Sequence, residues 1–127
     1  EPRKGKGWLV ILPLSPLLWR LGCNRRTEIL YTADIGMIVM RLGLKPGSKV
    51  IESGTGTGAL SFAISNAIAP TGQLRTYEYH EARAKKAKEN FKELGLDCIT
   101  SFHCDAYKDG FGVTNFANAV FLDLPQP

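Results

Sequence analysis

The segment ESGTGTGAL, from Glu52 to Leu60, decides the fold of this chain. It follows the apolar run Lys49 to Ile51, which ends at Glu52, and it continues into Leu60 to Ile68, whose residues are typical of a helix. Its three glycines remove the Cβ atoms that would hold a ligand away from the backbone, and the start of the helix offers free N–H groups. The segment therefore predicts a strand, a glycine loop and a helix that together bind a polar ligand.

The rest of the chain alternates between strand and helix patterns. An apolar stripe between Tyr31 and Leu42 has the spacing of an amphipathic helix, for which Thr32 or Asp34 is available as a cap. A second stripe, from Ala84 to Leu94, predicts a helix that ends at Gly95. Three further apolar runs predict strands: Leu74 to Tyr79, Cys98 to His103 and Ala119 to Leu122. This alternation predicts an α/β fold with a mainly parallel sheet.

The N-terminal residues and the composition restrict the partners. Trp8 to Leu12 predicts a strand, followed by an irregular segment with Pro13 and Pro16. The apolar run is too short for a bilayer, which needs roughly 20 residues, so no membrane partner is expected. The chain has 127 residues and a formal net charge of +4, which suits an anionic partner such as RNA. Its three cysteines form no CxxC pair, so we expect neither a disulfide framework nor a metal cluster.

The acid Glu78 indicates what the glycine loop binds. It lies at the end of the second predicted strand, about 20 residues after the loop, where a carboxylate accepts hydrogen bonds from the two hydroxyls of a ribose. The loop and the acid together predict a nucleoside cofactor. The run from Gly54 to Ala59 also satisfies the dinucleotide pattern GxGxxG/A, so an NAD-dependent oxidoreductase remains an alternative.

Three further acids favour S-adenosylmethionine over NAD. Glu52 places a negative charge beside the loop glycines, which suits the amino group of a methionine moiety better than it suits a pyrophosphate. Asp105 follows the third strand, where the adenine edge would lie, and Asp123 follows the fourth, where it would face the reactive end of the cofactor. The glycines predicted to contact the cofactor are Gly54, Gly56 and Gly58.

Four stretches carry a resemblance to a known family: RTEILYTADI (Arg26 to Ile35), ESGTGTGAL (Glu52 to Leu60), APTGQLRTYEYHEARAKKA (Ala69 to Ala87) and FGVTNFANAVFLDLPQP (Phe111 to Pro127). They are similar to the catalytic subunits of the eukaryotic tRNA (adenine-N1)-methyltransferase that modifies adenosine 58 in the T-loop. The resemblance implies a Rossmann-like class I methyltransferase sheet, present here in part with about four parallel core strands. Residues 1–26 would end an N-terminal β domain with its linker, and residues 27–127 would form the N-terminal half of the methyltransferase domain.

The resemblance also implies site residues and partners. The implied cofactor residues are Leu30, Thr57, Gly58, Ala59, Glu78, Arg83, Asp105 and Ala106. Asp123, in the DLPQP stretch that matches the family's DxPxP motif, is the implied catalytic acid and also a cofactor contact. The implied partners are tRNA and a related non-catalytic subunit, in a nuclear heterotetramer of two catalytic and two non-catalytic chains. A catalytically inactive subunit with the same fold remains an alternative.

Methylation at N1 defines the chemistry that this site would have to perform. N1 lies on the Watson–Crick edge of adenine, so the target base must be unpaired and turned out of the T-loop. We expect Asp123, held by the stiff Leu124-Pro125 link, to stabilise the positive charge that develops on the base. Candidates for phosphate contacts are Arg25, Arg26 and the basic residues before Gly7.

Overall fold

The structure, a computed structural model, describes residues 7–23 and 29–126. Within these two ranges the helices are α1 (Pro16–Gly22), α2 (Thr32–Arg41), α3 (Ala59–Ile68), α4 (Glu81–Glu93) and α5 (Ala106–Asp109). The strands are β1 (Lys49–Ser53), β2 (Gln73–Glu78), β3 (Ile99–His103) and β4 (Ala119–Leu122). The four strands that the sequence predicts between Lys49 and Leu122 are therefore all present.

The four strands form one parallel sheet in the order β3-β2-β1-β4, which confirms the predicted parallel arrangement. In the interior strand β1, Val50 pairs with Leu74 of β2 on one side and with Ala119 of β4 on the other. β1 is two residues longer than predicted, because Glu52 and Ser53 are still paired. The chain runs from β1 to β2 and β3 and then returns to β4 on the other side of β1. This reversal opens a crevice at the carboxyl ends of β1 and β4.

Helices α2, α3 and α4 cover one face of the sheet. The hydrophobic core on this face consists of Ile35, Val50, Ala59, Leu60, Ile64, Ile68 and Leu74. In α4 the predicted stripe is confirmed, since Ala84, Ala87 and Phe91 are buried and Leu94 at the end of the helix is half-buried. This packing fixes the start of α3 and α4 close to the ends of the strands that precede them.

The opposite face of the sheet is covered differently. Tyr77 of β2 stacks its ring on Phe102 of β3, with 5.0 Å between the centroids, and donates its hydroxyl to the carbonyl of Phe111 at 2.7 Å. Arg75 on the same face of β2 lies 4.7 Å from the ring centroid of Phe116. In the described part of the chain, the irregular segment from Phe111 to Phe116 therefore covers this face where a helix covers the other.

The prediction for the N-terminal residues is wrong in two respects. Trp8 to Leu12 is not a strand: Trp8 is 87% and Ile11 86% exposed, and none of the paired strands includes them. A strand needs a neighbouring backbone for its hydrogen bonds, and the described residues supply none there. The segment expected to be irregular contains α1 instead. Pro16 occupies its first turn, where a missing N–H is tolerated, and the Ser15 hydroxyl accepts the N–H of Leu18 at 3.3 Å.

Two smaller differences concern the cap of α2 and an additional short helix, α5. α2 is confirmed with Ile35 buried, but neither predicted cap is used: Thr32 is already helical, and the N-cap is Tyr31 without a side-chain hydrogen bond. α5 has only four residues, too few to show a hydrophobic period in the sequence. None of the helices in the two described ranges is both long and apolar enough to cross a membrane.

Candidate cofactor and active site

A cavity of 540 Å³ lies at the carboxyl ends of the strands, and its volume is in the range of small-molecule sites. Most of the predicted site residues line it: Leu30, Gly54, Gly56, Thr57, Ala59, Glu78, Arg83, Asp105, Ala106 and Asp123. The exceptions are Glu52 and Gly58, which are not in its wall. Residues from distant parts of the sequence meet here because the carboxyl ends of parallel strands lie at one edge of a sheet.

Glu78 ends β2 with a carboxylate that already accepts several hydrogen bonds. Its Oε1 atom accepts the backbone N–H of His80 at 3.0 Å and two bonds from the Arg83 guanidinium at 2.7 and 3.0 Å. Its Oε2 atom accepts the backbone N–H of Gly56 at 3.0 Å, which joins the glycine loop to β2. Because a carboxylate oxygen has two lone pairs, Oε2 is the atom with room for a further donor such as a ribose hydroxyl.

The same contacts determine the charge of Glu78. Burial on its own raises the pKa of this carboxyl, but the hydrogen bonds from Arg83, His80 and Gly56, together with the charge of Arg83, hold the pKa below its ordinary value of 4.5. The group is therefore ionised at neutral pH and can only accept hydrogen bonds. A charged acceptor of this kind suits a hydroxyl of a ribose.

Two of the loop glycines are required by contacts within the protein. A Cβ on Gly54 (φ +99°) would collide with the backbone carbonyl of Asp123. A Cβ on Gly58 (φ +77°) would lie 2.7 Å from the ring of Phe91 in α4. The sequence pattern attributes these glycines to the approach of a ligand, whereas the structure attributes Gly58 to the packing of the loop on α4. Gly56 (φ +53°) presents its N–H to Glu78.

Glu52 lies beneath the loop. It is 1% exposed; its Oε2 atom accepts the hydroxyl of Ser61 in α3, and the hydroxyl of Thr76, its partner residue in β2, lies beside the carboxyl. Thr76 also shares a hydrogen bond of 2.6 Å with Thr55 of the loop. Burial raises the pKa of Glu52 from 4.5 to about 7, against the lowering effect of the two hydroxyls and with a further raising effect from the charge of Asp123. The predicted contact with a cofactor amino group has no direct path here, and the carboxyl instead ties β1 to α3 and β2.

Asp105 and Ala106 form the cavity wall beside β3. Asp105 is the N-cap of α5, and its Oδ1 atom accepts the backbone N–H of Tyr107 at 3.1 Å and of Lys108 at 3.3 Å. An aspartate at an N-cap satisfies N–H groups that the helix leaves free. The cap thus holds this carboxylate at the end of the cavity where the sequence predicts the adenine.

Asp123 lies at the crevice between β4 and β1. Its backbone N–H donates to the carbonyl of Ser53 at 2.9 Å, which continues the β1–β4 pairing by one residue. The residue is exposed and lines the cavity. Because residues 124–126 form no helix, Asp123 is not a helix cap. It follows β4, at the opposite edge of the sheet from β3, which precedes Asp105.

The structure adds apolar wall residues that the sequence pattern does not reveal: Ile29, Tyr79, Tyr107, Leu124 and Pro125. Tyr79 directly follows the acid at the end of β2 and is 66% exposed. A large aromatic residue next to a carboxylate that is predicted to bind a ribose indicates that the aromatic side chain lines the same cavity. Tyr107 gives no comparable signal, because α5 cannot be recognised from the sequence.

Some predictions lie outside the described residues. Arg25, Arg26 and the basic residues before Gly7, proposed for phosphate contacts, are among these. Among the residues that the structure does describe, no group of three His, Cys, Asp or Glu side chains is placed to hold a metal ion.

The sheet order and the site define the class of protein. The fold matches the tRNA (m1A58) methyltransferase TrmI from Aquifex aeolicus with a TM-score of 0.76 and 31% identity, over 88% of this chain and 44% of that one. It also matches a SAM-dependent O-methyltransferase from Thermotoga maritima with a TM-score of 0.73 and 35% identity, over 80% of this chain and 38% of that one. The predicted Rossmann-like class I methyltransferase fold is confirmed.

The sequence comparisons identify the family within this class. The family described as "tRNA methyltransferase complex GCD14 subunit" matches residues 7–127, and the chain belongs to this family. It is 47% identical over 128 residues to the tRNA (adenine(58)-N(1))-methyltransferase catalytic subunit trmt61a of Dictyostelium discoideum, and 41% identical over 127 residues to the catalytic subunit TRM61 of Candida albicans. These alignments cover 97% and 98% of this chain but 41% and 38% of the relatives, so the chain spans less than half their length.

Proposed function

We propose that this chain carries the cofactor half-site of an S-adenosylmethionine-dependent methyltransferase that methylates N1 of adenosine 58 in tRNA. The observation that carries the proposal is that one cavity is lined both by Glu78, the carboxylate proposed to bind a ribose, and by Asp123, an exposed carboxylate at the crevice between β1 and β4. Relatives at 41–47% identity are named as the catalytic subunits of this enzyme. Residues 27–127 would be the N-terminal half of its methyltransferase domain, preceded by the end of a β domain.

The residues of the cavity fit S-adenosylmethionine. Glu78 is a carboxylate with acceptor room on Oε2, as a ribose requires. Asp105 and Ala106, which follow β3, and Tyr79, which follows β2, line the part of the cavity where we place adenine. The methionine end would lie along the loop, toward Asp123, where a negative charge balances a cationic sulfur and an amino group.

The same residues do not suit the pyrophosphate of NAD. A pyrophosphate on a glycine loop needs backbone N–H groups that are free to donate. Here the central N–H, that of Gly56, donates to the carboxylate of Glu78, and the N–H of Gly58 donates to the carbonyl of Thr55 at 2.8 Å. The carboxylate of Asp123 lies on the same cavity and would repel a phosphate. These contacts favour a methyltransferase over an oxidoreductase.

In the proposed reaction Asp123 stabilises charge. When bound, S-adenosylmethionine would supply a methyl group on a positively charged sulfur; the lone pair of adenine N1 would form the new bond, and the sulfur would keep the electrons of the old one. The base gains positive charge during this transfer, and a fixed carboxylate near its exocyclic amine lowers the barrier. Asp123 is held for this role by its backbone bond to Ser53 and by the adjacent Leu124-Pro125.

The partners follow from the same proposal. Adenosine 58 must leave the T-loop to present N1, so tRNA would bind over the open mouth of the cavity. A complex is supported by the family description, and we propose that the second component is a related non-catalytic subunit, in a nuclear heterotetramer of two catalytic and two non-catalytic chains. The alternative of an inactive subunit is disfavoured by the exposed acid on the cavity, because a scaffold does not need Asp123 there.

The test uses the full-length protein together with its partner subunit. Labelled methyl groups from S-adenosylmethionine should appear in an unmodified tRNA transcript at position 58 and should not appear when adenosine 58 is replaced by guanosine. Asp123→Asn, which keeps the size of the side chain, should lower kcat by about 100-fold. No transfer to the adenosine-58 transcript would favour the inactive subunit, and full activity of Asp123→Asn would remove the role given to this residue.

A further inference from the structure

A hydrogen bond joins the two sides of the cavity. The backbone N–H of Gln126, three residues after Asp123, donates to the hydroxyl of Tyr107 at 3.0 Å. Tyr107 lies in α5, just after β3, whereas Gln126 follows β4. The contact therefore links the segments that leave two different strands.

These two strands are at opposite edges of the sheet. In the order β3-β2-β1-β4, the strands β2 and β1 lie between them, and three strand spacings amount to about 14 Å. A side chain after β3 meets the backbone after β4 only if the segments that follow these two strands approach each other over the ends of β1 and β2. The Tyr107–Gln126 bond thus spans the mouth of the cavity, and Tyr107, Leu124 and Pro125 all belong to the cavity wall.

The contact also connects the two predicted ends of the ligand. The carboxylate of Asp105 caps α5 by accepting the backbone N–H of Tyr107 at 3.1 Å, so the residue predicted to meet adenine also orients the tyrosine. The tyrosine hydroxyl in turn holds the segment that follows Asp123. Two hydrogen bonds, joined through Tyr107 and through the backbone from Gln126 to Asp123, therefore connect the adenine end of the site to the reactive end.

We propose that Tyr107 is a positioning residue: its hydroxyl straps the segment from Asp123 to Gln126 across the cavity and holds Asp123 in place for methyl transfer. The proposal rests on the proposed function. It assigns Tyr107 no contact with the reacting atoms, because its effect passes through the backbone of Gln126. The strap should therefore affect turnover and leave cofactor affinity nearly unchanged.

The test compares variants of the full-length protein with its partner subunit. Tyr107→Phe keeps the ring and removes the acceptor, and Gln126→Pro removes the donor at a position where the next residue, Pro127, already favours an extended backbone. Each should lower kcat by about three- to ten-fold, the loss of one hydrogen bond, with the KM for S-adenosylmethionine within about two-fold of wild type. The double variant should be no slower than the slower single variant, because both remove the same bond.

Controls separate the bond from its surroundings. Lys108→Ala changes the neighbouring residue of α5, which is exposed and outside the cavity wall, and should leave kcat unchanged. Gln126→Ala keeps the N–H and so distinguishes loss of the donor from loss of the side chain. Wild-type kcat in Tyr107→Phe, or additive effects in the double variant, would overturn the proposal.

A second measurement does not depend on activity. The amide hydrogen of Gln126 should exchange with solvent several-fold faster in Tyr107→Phe than in the wild type, while the amide of Asp123, bonded to Ser53, should be unaffected. If the wild type transferred no methyl group but showed this difference, the proposed function would fail and the strap would stand. Equal exchange at Gln126 in both proteins would remove the strap.

Discussion

The backbone carbonyl of Asp123 occupies the space in which a side chain at Gly54 would begin. The two residues are far apart in sequence, at the ends of β4 and β1, and they meet because these strands are neighbours in the sheet. The glycine loop and the proposed catalytic segment are therefore packed directly against each other. A change in one must move the other.

Gly54→Ala should displace Asp123 and so impair both folding and catalysis. The new Cβ would both collide with the Asp123 carbonyl and strain the backbone at φ +99°, at a combined cost of roughly 2–5 kcal/mol. We expect at least about a ten-fold loss of kcat, measured by methyl transfer to tRNA.

The control for this prediction is Gly43→Ala, where φ is +60° and no atom lies within 4 Å of the new Cβ. It carries the backbone strain without the collision, and should lower the melting temperature while keeping kcat. Equal kcat in the two variants would show that the contact with Asp123 has no catalytic consequence.

Gly58→Ala should destabilise the protein through Phe91. The new methyl group would press on the aromatic ring 2.7 Å away, and overpacking of this kind costs about 1–3 kcal/mol in addition to the strain at φ +77°. Phe91→Leu shortens the side chain, so the double variant should lose less stability than the sum of the two single variants. Denaturant unfolding of the four proteins measures this coupling, and strictly additive losses would contradict it.

Arg83→Gln should weaken the protein most at neutral pH and least in acid. The pKa of Glu78 is lower in the folded state than its ordinary value of 4.5. Its ionised form therefore stabilises the folded protein at pH values above 4.5, and this contribution is lost as the pH falls through the lower pKa of the folded state. We expect a loss of roughly 1 kcal/mol at pH 7, limited because Arg83 is one-third exposed.

The loss from Arg83→Gln should shrink as the pH is lowered below 4.5 in chemical denaturation. Lys86→Gln is the matched control, since Lys86 belongs to an exposed pair with Glu89 at 3.3 Å. A loss that stayed constant with pH would mean that Arg83 does not act through the charge of Glu78.

Glu52→Gln should change how stability depends on pH. The pKa of Glu52 is raised to about 7 in the folded protein, so its carboxyl is protonated in both states below pH 4.5, and the wild type loses stability as the pH rises from 4.5 to about 7 and ionisation comes to require a buried charge. Glutamine cannot ionise, so the stability of the variant relative to the wild type should increase over this interval by about 3 kcal/mol. Exposed Glu93→Gln is the control, and parallel pH curves for the wild type and Glu52→Gln would contradict the buried charge.

Much of the site was accessible from the sequence because it depends on local signals and one rule of topology. Glu78 is recognised by its distance from the glycine loop, and Asp123 by its position after the fourth strand; parallel strands then bring both to one edge. The burial of Glu52 was not accessible, because a single residue at a strand end does not reveal whether it faces the cavity or the layer below.

The remaining surprises arise from contacts between distant parts of the chain. Gly54 meets Asp123, and Gly58 meets Phe91, but the sequence shows only that glycine is present. Trp8 to Leu12 has the composition of a strand, yet strand formation depends on a neighbouring backbone that the described residues do not place there. Local sequence patterns thus predict where most helices and strands form, whereas the contacts that these elements make depend on long-range packing.

The most direct test of the central claim is calorimetric titration of the full-length protein with S-adenosylmethionine and, separately, with NAD. We predict one S-adenosylmethionine bound per chain, an affinity reduced at least about ten-fold in Glu78→Ala because the ribose loses its charged acceptor, and no heat of binding with NAD. Glu81→Ala, an exposed acid at the start of α4, should bind like the wild type. Binding of NAD that is lost in Glu78→Ala, with no binding of S-adenosylmethionine, would contradict the account.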